Sequence, residues 1–284
     1  MVPDVQTLGG GAFLGALYGT AAVGFQAILG SGGRVHLAYG HLCVGWALAI
    51  STILTLEVAP AGMLLTGMVA ASALAGWALH PVTLWRGDHS AERARSFFLL
   101  TLGAAFLLED VGGRLWPLPG TALFWAPPPL LWRGIALPPA KLALVGAGIG
   151  LALGMHVYLR KGRWGRALVA WNRGTAPVWL VGVDTGRLGQ TATALGFAVC
   201  ALAAGFLAFS YTVSIHEGMV MTVRALVLAV LGGTLSPLRV FGLGVGLGVG
   251  EAWIGQAAGL RWGPVLGYAL LLGLPPVLAK RREP

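Results

Sequence analysis

Long apolar segments are the feature that most constrains this chain. Nine stretches meet or approach the roughly 20 residues that a helix needs to cross the hydrocarbon core of a bilayer. They are residues 8–30, 38–56, 60–79, 96–110, 141–159, 188–210, 219–235, 240–257 and 264–279. Because lipid offers no hydrogen bonds, the backbone of each stretch must pair within its own helix. The sequence therefore predicts an all-α, polytopic bundle of eight or nine membrane segments that forms one domain over residues 1–284.

The composition agrees with a membrane protein and argues against several soluble classes. Only 10 % of the 284 residues are charged and 56 % are hydrophobic, whereas about a quarter of the residues of a soluble domain are charged. The net charge is +9, but the basic residues lie between apolar runs, so we expect no binding of nucleic acid. Cys43 and Cys200 lie within apolar runs and lack metal-ligand spacing, so we expect neither a metal nor a cofactor.

The distribution of basic residues predicts the orientation. If nine segments cross from an N-terminus outside, 14 of the 19 Lys and Arg fall on one side and four on the other, with Arg224 inside a segment. Positive charge marks the cytoplasmic side, which places the loop 160–187 and the C-terminus in the cytoplasm of a multi-pass inner-membrane protein. With eight crossings and one re-entrant segment, the N-terminus would instead lie inside. No Lys or Arg precedes the first apolar run, so we expect that helix to be retained rather than cleaved.

Two connecting segments stand out. Residues 111–140 contain seven of the 16 prolines together with Trp116, Trp125 and Trp132. This composition predicts a rigid, irregular external loop that anchors at the interface or docks an extracytoplasmic partner. The segment 160–187 is too long for a simple turn. Thr175 can cap a short amphipathic helix that ends at Gly182 and that docks in a groove of a partner, although a solvated loop that only fixes topology remains an alternative.

The segment 160–187 also carries a resemblance. Its residues Arg166-Ala167, Ala170 and Leu180-x-Gly182-Val183-Asp184-x-x-Arg187 resemble the cytoplasmic loop of the branched-chain amino acid ABC transporter permeases. Other parts of the chain are also similar to the family, and they occur in the order that the family pattern has. They are Gly15-x-x-Tyr18 with Ala22-x-Gly24 and Gly30, Leu37-Ala38-Tyr39-Gly40, Leu102-Gly103 to Leu108-Glu109-Asp110, and Val230-Leu231-Gly232-Gly233 to Gly250-Glu251. The chain departs from the family pattern at His36 and Tyr39, and Leu235 and Arg239 replace two expected glycines.

The resemblance implies the ABC importer permease fold and a path for branched-chain amino acids or a related small polar solute. The implied partners are two ABC ATPase subunits, a second permease that is identical or different, an extracytoplasmic substrate-binding protein and the lipid bilayer. The chain has no GxxxxGK[ST] motif, so ATP would bind on the separate subunits. The residues expected to couple to them are Arg163, Arg166, Ala167, Ala170, Val178, Trp179, Leu180, Gly182, Asp184 and Arg187.

Polar groups within the apolar segments are the candidates for the substrate path, because charges at this depth usually face a cavity or a partner. The candidates are His36, Tyr39, His41, Glu109 and Glu251. We expect the first three at the cytoplasmic start of a helix. Glu217 and Arg224 are seven residues apart, so we expect them to pair on one helix face.

Glycines recur at every fourth position in three of the apolar segments. They are Gly11-Gly15-Gly19, Gly146-Gly150-Gly154 and Gly242-Gly246-Gly250. This spacing puts small residues on one face of a helix and lets neighbouring backbones approach closely. We therefore predict close helix packing along all three faces, and helices that slide during transport are the functional alternative.

Two other function classes stay open from the residues alone. An intramembrane lipid-modifying enzyme needs clustered acid/base or metal-binding groups, but the adjacent acids are limited to Glu109-Asp110, and His216-Glu217 lacks the second His of HExxH. We therefore predict no enzyme activity and no catalytic residue. A secondary transporter is the second alternative, and its transport would survive depletion of ATP.

Overall fold

The computed structural model describes residues 5–31, 35–57, 60–83, 91–117, 130–132, 135–173, 182–233 and 235–259, and a few positions between 262 and 269. A 3-10 turn, Ile215–Glu217, leads into the eighth helix. The elements in chain order are α1 (Val5–Gly30), α2 (Tyr39–Thr55), α3 (Ala61–Thr83), α4 (Ala91–Leu115), β1 (Leu130–Trp132), β2 (Ile135–Leu137), α5 (Pro139–Lys161), α6 (Arg163–Arg173), α7 (Thr185–Ser210), α8 (Gly218–Gly232) and α9 (Pro237–Ala258).

The helical membrane bundle predicted from the sequence is confirmed. Seven helices in the described ranges are long and apolar enough to cross a membrane, and α2, with 17 residues, is shorter. Eight of the nine predicted segments coincide with helices, while the ninth, 264–279, lies almost entirely outside the described residues. The long helices form because their backbone groups can pair internally while their apolar side chains face lipid or one another.

Helix α1 is the centre of the bundle. It is buried over most of its length and contacts α5, α7, α8 and α9. Its Gly15 lies against the backbone of Gly244 and Val245 in α9, and Gly248 of α9 lies against Gly11 and Gly15. We call these contacts the α1–α9 glycine seam. The small residues let the two backbones touch, which is the main way that helices gain packing energy in lipid.

Two of the three predicted glycine faces meet no packing partner among the residues that the structure describes. A side chain at Gly146, Gly150 or Gly154 of α5 would meet no atom within 4 Å, and the same holds for Gly242 and Gly246 of α9. Helix α9 instead packs through Gly244 and Gly248, two positions along from the predicted set. The expectation for Gly242 and Gly246 was therefore wrong, because four-residue spacing occurs on two faces of this glycine-rich helix and does not say which face is covered.

The chain after α1 turns back into the bundle, so α2 begins in the interior. Tyr39, the first residue of α2, is fully buried and its hydroxyl donates to the carbonyl of Ala21 at 2.8 Å. The thiol of Cys200, midway along α7, lies 3.7 Å from the Tyr39 carbonyl. The expected position of His36, Tyr39 and His41 at the cytoplasmic start of a spanning helix is therefore wrong. Tyr39 and His36 lie beside the middle of α7, whereas His41 packs against Gly218 at the start of α8.

The segment 111–140 is more regular than its prolines indicated. Helix α4 continues to Leu115, and β1 and β2 pair as an antiparallel hairpin in which Trp132 lies opposite Ile135. Pro139 begins α5, where its missing N–H is harmless. The irregular loop predicted for this segment is therefore wrong at both ends and at the hairpin, while residues 118–129 lie outside the described residues.

The turn between α8 and α9 has a left-handed backbone. Gly233 has a φ of 80°, and Leu235 has a φ of 65°, which is uncommon for a residue with a side chain. Leu235 is one of the two positions at which the resemblance predicts glycine. Its side chain covers Gly30 at the end of α1, so the contact with α1 offsets the unfavourable backbone conformation.

Candidate functional site

A polar cluster joins α2, α4 and the turn before α8. Glu109 lies between two histidines, with its Oε2 3.3 Å from Nε2 of His41 and its Oε1 2.9 Å from Nδ1 of His216. His41 is buried, Glu109 is 30 % exposed and His216 is 70 % exposed. The cluster therefore runs from the surface into the bundle, and it brings together two of the predicted path residues, His41 and Glu109.

Two buried imidazole nitrogens lack partners near this cluster. Within the described part of the chain, Nδ1 of His36 and Nδ1 of His41 form no hydrogen bond. The His36 ring lies edge-on to Phe97 of α4 and Phe197 of α7, with ring centroids 6.0 and 5.5 Å away. Buried polar atoms are nearly always satisfied in folded proteins. Each of these two nitrogens can therefore form one hydrogen bond that the described residues do not provide.

We expect Glu109→Gln to loosen the end of the bundle at which α2, α4 and the turn before α8 meet. The amide of glutamine can accept a hydrogen bond from one histidine, but it lacks the negative charge with which the Glu109 carboxylate binds both imidazoles. Hydrogen bonds to a charged group contribute about 1.5–3 kcal/mol when they are shielded from water. Because Glu109 and His216 are partly exposed, we expect a loss of about 1–2 kcal/mol and a fall of a few degrees in the melting temperature in detergent.

The neighbouring acid provides a matched control for this change. Asp110 pairs with Arg114 at 3.1 Å, but both side chains are well exposed, so Asp110→Asn should leave the melting temperature nearly unchanged. Equal melting temperatures for the two variants would show that Glu109 does not hold the helices together.

A second charged cluster lies within the membrane helices. The guanidinium of Arg224 in α8 donates from Nε to Oε1 of Glu251 and from Nη2 to Oε2, each at 3.1 Å. Its carbon Cζ lies 4.4 Å from the centroid of the Tyr18 ring in α1. The predicted pairing of Arg224 with Glu217 is therefore wrong. Arg224 reaches across to α9 because a bidentate bond to a carboxylate on a facing helix is stronger than an i,i+7 contact along its own helix.

The half-buried tyrosine that follows α7 lies beside the start of α5. Tyr211 packs under the ammonium of Lys141, which lies 5.0 Å from the ring centroid. Burial raises the pKa of the Tyr211 phenol to about 12, so the group is neutral at physiological pH. This contact ties the start of α5 to the end of α7 by a cation–π interaction.

The loop 160–187 contains a helix that the sequence analysis did not identify. Helix α6 contacts α5, α7 and α1, and Asn172 Nδ2 lies 3.4 Å from the carbonyl oxygen of Gly30. Leu168 and Gly165 are buried, whereas Arg163, Trp164 and Arg166 are exposed. Ala167 and Ala170, also predicted to couple, are half-buried on α6. Helix α6 is thus held against one end of the bundle, with Arg163 and Arg166 facing outward.

The remaining predicted coupling residues divide into two groups. Val178, Trp179 and Leu180 lie outside the described residues, as does the short helix predicted from Thr175. Gly182 has a φ of 76°, a conformation that suits glycine. Asp184 caps α7 by accepting from the amides of Gly186 and Arg187 at 2.8 and 3.2 Å. Asp184 and Arg187 therefore have a clear structural role at the start of α7.

The α8–α9 turn lies at the same end of the bundle as α6. Gln26 Nε2 donates to the carbonyl of Gly233 at 2.7 Å, and Leu235 covers Gly30. A cavity of about 360 Å³ opens beside this turn, with Ser236 and Arg239 among its lining residues. The arginines of α6 and Arg239 therefore mark one basic end of the molecule.

Sequence reasoning missed two partners of the polar clusters. His216 is 107 residues from Glu109, and Arg224 was assigned to the wrong acid. The only sequence signal for either was the occurrence of ionisable groups in otherwise apolar segments. Spacing along one helix identifies possible pairs within that helix, but it carries no information on contacts between helices.

Comparisons with known proteins agree with this architecture. A family model described as the permease component of branched-chain amino acid transport systems matches residues 7–275. The chain is also similar to a curated protein of Pseudomonas aeruginosa, the high-affinity branched-chain amino acid transport system permease protein BraD. The two are 24 % identical over 286 residues, which cover 94 % of this chain and 92 % of the relative. No solved structure matches the chain significantly.

Proposed function

This chain belongs to the family of permease components of branched-chain amino acid transport systems, and from that premise we propose that it forms the translocation path of an ABC importer. Its substrate is a branched-chain amino acid or a closely related small solute, the class named for its relative in Pseudomonas aeruginosa. Energy comes from two separate ATPase subunits, because this chain carries no phosphate-binding loop motif. Substrate arrives from an extracytoplasmic binding protein.

The observation that carries this proposal is the basic end of the bundle formed by α6. Arg163, Trp164 and Arg166 are exposed there, while the other face of α6 rests on α5, α7 and α1. A force applied to α6 therefore reaches three helices of the bundle directly. We propose that the loop 160–187 is the cytoplasmic coupling element and that closure of the ATPases moves it between two positions.

The positive-inside rule supports this orientation. Lys280, Arg281 and Arg282 near the C-terminus fall on the same side as the loop when the crossings are counted. The β1–β2 hairpin then faces the extracytoplasmic side, where the binding protein docks. Glu109 and His216 also lie at that side, close to the entrance for substrate.

The substrate path includes the five polar residues singled out in the sequence. Tyr39 and His41 lie at the start of α2 and His36 lies just before it, and Glu109 and Glu251 contribute carboxylates from α4 and α9. A helix that begins inside a membrane bundle is a common feature of solute sites in transporters. Opening of the bundle between α2, α4 and α7 would expose the free nitrogens of both histidines to the solute.

A second permease subunit completes the path. The exposed large apolar side chains are concentrated on α3, α4 and α5, so these helices face lipid or another subunit. The uncovered Gly146, Gly150 and Gly154 on α5 offer a face on which another helix can approach closely. The partner is either a second copy of this chain or a related permease.

Transport that depends on ATP is the experimental test of this function. The chain would be reconstituted in vesicles with its second permease, its ATPase subunits and its binding protein. Uptake of radiolabelled leucine would be measured with ATP enclosed at the ATPase side. We expect uptake with ATP, little uptake without it, and unchanged uptake when an ionophore dissipates the ion gradients. The matched control contains an ATPase subunit that binds but does not hydrolyse ATP.

The same measurement separates the alternative functions. Uptake that continues without ATP and stops with the ionophore would identify a secondary transporter and overturn the proposal. Absence of uptake together with modification of a lipid substrate would identify an intramembrane enzyme. Uptake of another amino acid in place of leucine would keep the importer and change only its substrate.

A further inference from the structure

The ion pair between Arg224 and Glu251 is placed where membrane proteins seldom keep charges. Both residues lie well inside their helices, away from the ends of α8 and α9, and Tyr18 lies near the middle of α1. Ionisable residues at this depth are rare and usually face the interior of the bundle or a water-filled path. Solute sites of transporters lie at the same depth.

Stability alone does not account for this pair. Replacing a buried ion pair by apolar side chains of similar volume is often neutral or stabilising, because the removal of two charges from water costs about as much as their attraction returns. Helices α8 and α9 already pack on α1 through small and apolar residues, including the α1–α9 glycine seam. The charges are therefore explained better by a task in transport than by packing.

The pair is also not sealed from the surface of the chain. The side chain of Arg224 keeps 15 % of its surface exposed and that of Glu251 keeps 7 %. A charged edge that faced hydrocarbon would be unfavourable. The exposed edge must therefore face a polar surface, either the water-filled path or the second permease that borders it.

The chemistry of the pair matches the two charges of a free amino acid. A guanidinium with two donors in a fork binds a carboxylate through two parallel hydrogen bonds. The carboxylate of Glu251 suits an ammonium group, and the Tyr18 ring already lies beneath the guanidinium at 4.4 Å. In the present arrangement the two side chains satisfy each other, so a zwitterion that enters between them replaces each partner with an equivalent one.

We propose that Arg224 and Glu251 bind the α-carboxylate and the α-ammonium of the translocated amino acid and pair with each other when the site is empty. This assignment rests on the proposed function as an amino-acid permease. The empty pair prevents two unpaired charges from remaining in the membrane after release, and the need for both substrate charges gives selectivity for free amino acids over singly charged solutes.

Two double variants test this site. Arg224→Met with Glu251→Leu replaces the pair by apolar side chains, and Arg224→Glu with Glu251→Arg exchanges the charges between α8 and α9. Both should assemble with the ATPase subunits, as judged by size-exclusion chromatography and co-purification. We expect uptake of leucine to fall by about tenfold or more in both, because a site built to pair substrate charges discriminates strongly when its groups are lost or misplaced.

Transport at the wild-type rate by either assembled double variant would overturn the proposal and leave the importer function intact. If the wild-type complex itself transports no amino acid, both proposals fail together. Glu217→Gln is the matched control, since Glu217 is an exposed acid at the start of α8 that forms no part of the site. Its uptake should equal that of the wild type.

A measurement on the wild-type permease removes the dependence on folding of the variants. Leucine at millimolar concentration should raise the melting temperature of the purified permease, because a ligand that binds only the native state stabilises it. The corresponding α-keto acid, which lacks the ammonium, and the amine, which lacks the carboxylate, should not. An equal shift with all three compounds, or no shift with leucine, would contradict the site.

Discussion

Replacement of Val178, Trp179 and Leu180 together with Asp is expected to abolish transport and to release the ATPase subunits. These residues are an apolar part of the loop 160–187, and the proposed function requires them to enter a groove on the ATPase. Buried aromatic anchors typically contribute at least about 2 kcal/mol each to an interface. An unpaired carboxylate in the same place adds a further desolvation cost.

The measurement is co-purification of the ATPase subunits with the tagged permease, followed by uptake in vesicles. We expect more than a tenfold loss of binding for each strong anchor removed, since about 1.4 kcal/mol corresponds to a factor of ten in affinity. Val178→Ile, Trp179→Phe and Leu180→Met form the matched control, because they keep the segment apolar. Normal co-purification of the Asp variant would show that this part of the loop does not couple the subunits.

The same loop shows what sequence could and could not predict about coupling. Its basic character and its length follow from local counting of residues, and its side of the membrane stays a prediction. The helix within it, α6, was not predicted, because Arg163, Trp164, Arg166 and Arg173 give a short, charged pattern without a cap of the usual type. Its formation depends on contacts with α5, α7 and α1, which are not visible in a local window.

The membrane helices themselves could be predicted well because the physical requirement is local. About 20 apolar residues suffice to define a spanning helix, whatever its neighbours are. Helix α2 is the exception, because its apolar residues satisfy the same count while its start lies beside Ala21 and Cys200 inside the bundle. The depth at which α2 begins in the membrane depends on the turn that precedes it. A hydropathy profile contains no information on the path of that turn.

The sequence predicted some members of the two polar clusters but not the contacts between them. Glu109, His41 and Glu251 stand out as ionisable groups in apolar surroundings. The bonds of Glu109 with His41 and His216, and the bond of Arg224 with Glu251, join residues that are 27 to 107 positions apart. Such contacts follow from the order in which helices pack, so a single sequence without related sequences cannot specify them.

The glycines of α9 show most clearly that sequence spacing does not determine which helix face is packed. They also give the second prediction with a large expected effect, which is on the stability of the bundle. Gly244→Ala should strongly destabilise the bundle, because a Cβ at this position would lie 2.6 Å from the amide nitrogen of Gly19 and 2.8 Å from the carbonyl oxygen of Gly15. The obstruction is backbone, which cannot rotate away as a side chain does. Overpacking of this kind costs about 2–3 kcal/mol, which corresponds to a fall of roughly 5–10 °C in melting temperature.

Gly242→Ala is the matched control on the same helix, two residues away. Nothing lies within 4 Å of a Cβ at Gly242, so the added methyl group only reduces the conformational freedom of the unfolded chain. Alanine in the middle of a helix is favoured over glycine by about 0.5–1 kcal/mol, and we therefore expect an unchanged or slightly higher melting temperature. Thermal unfolding of both variants in detergent measures this difference. A larger loss of stability for Gly242→Ala than for Gly244→Ala would mean that α9 presents its other glycine face to α1. The α1–α9 glycine seam and the Arg224–Glu251 pair would then both be wrong, because the rotation of α9 about its axis determines both.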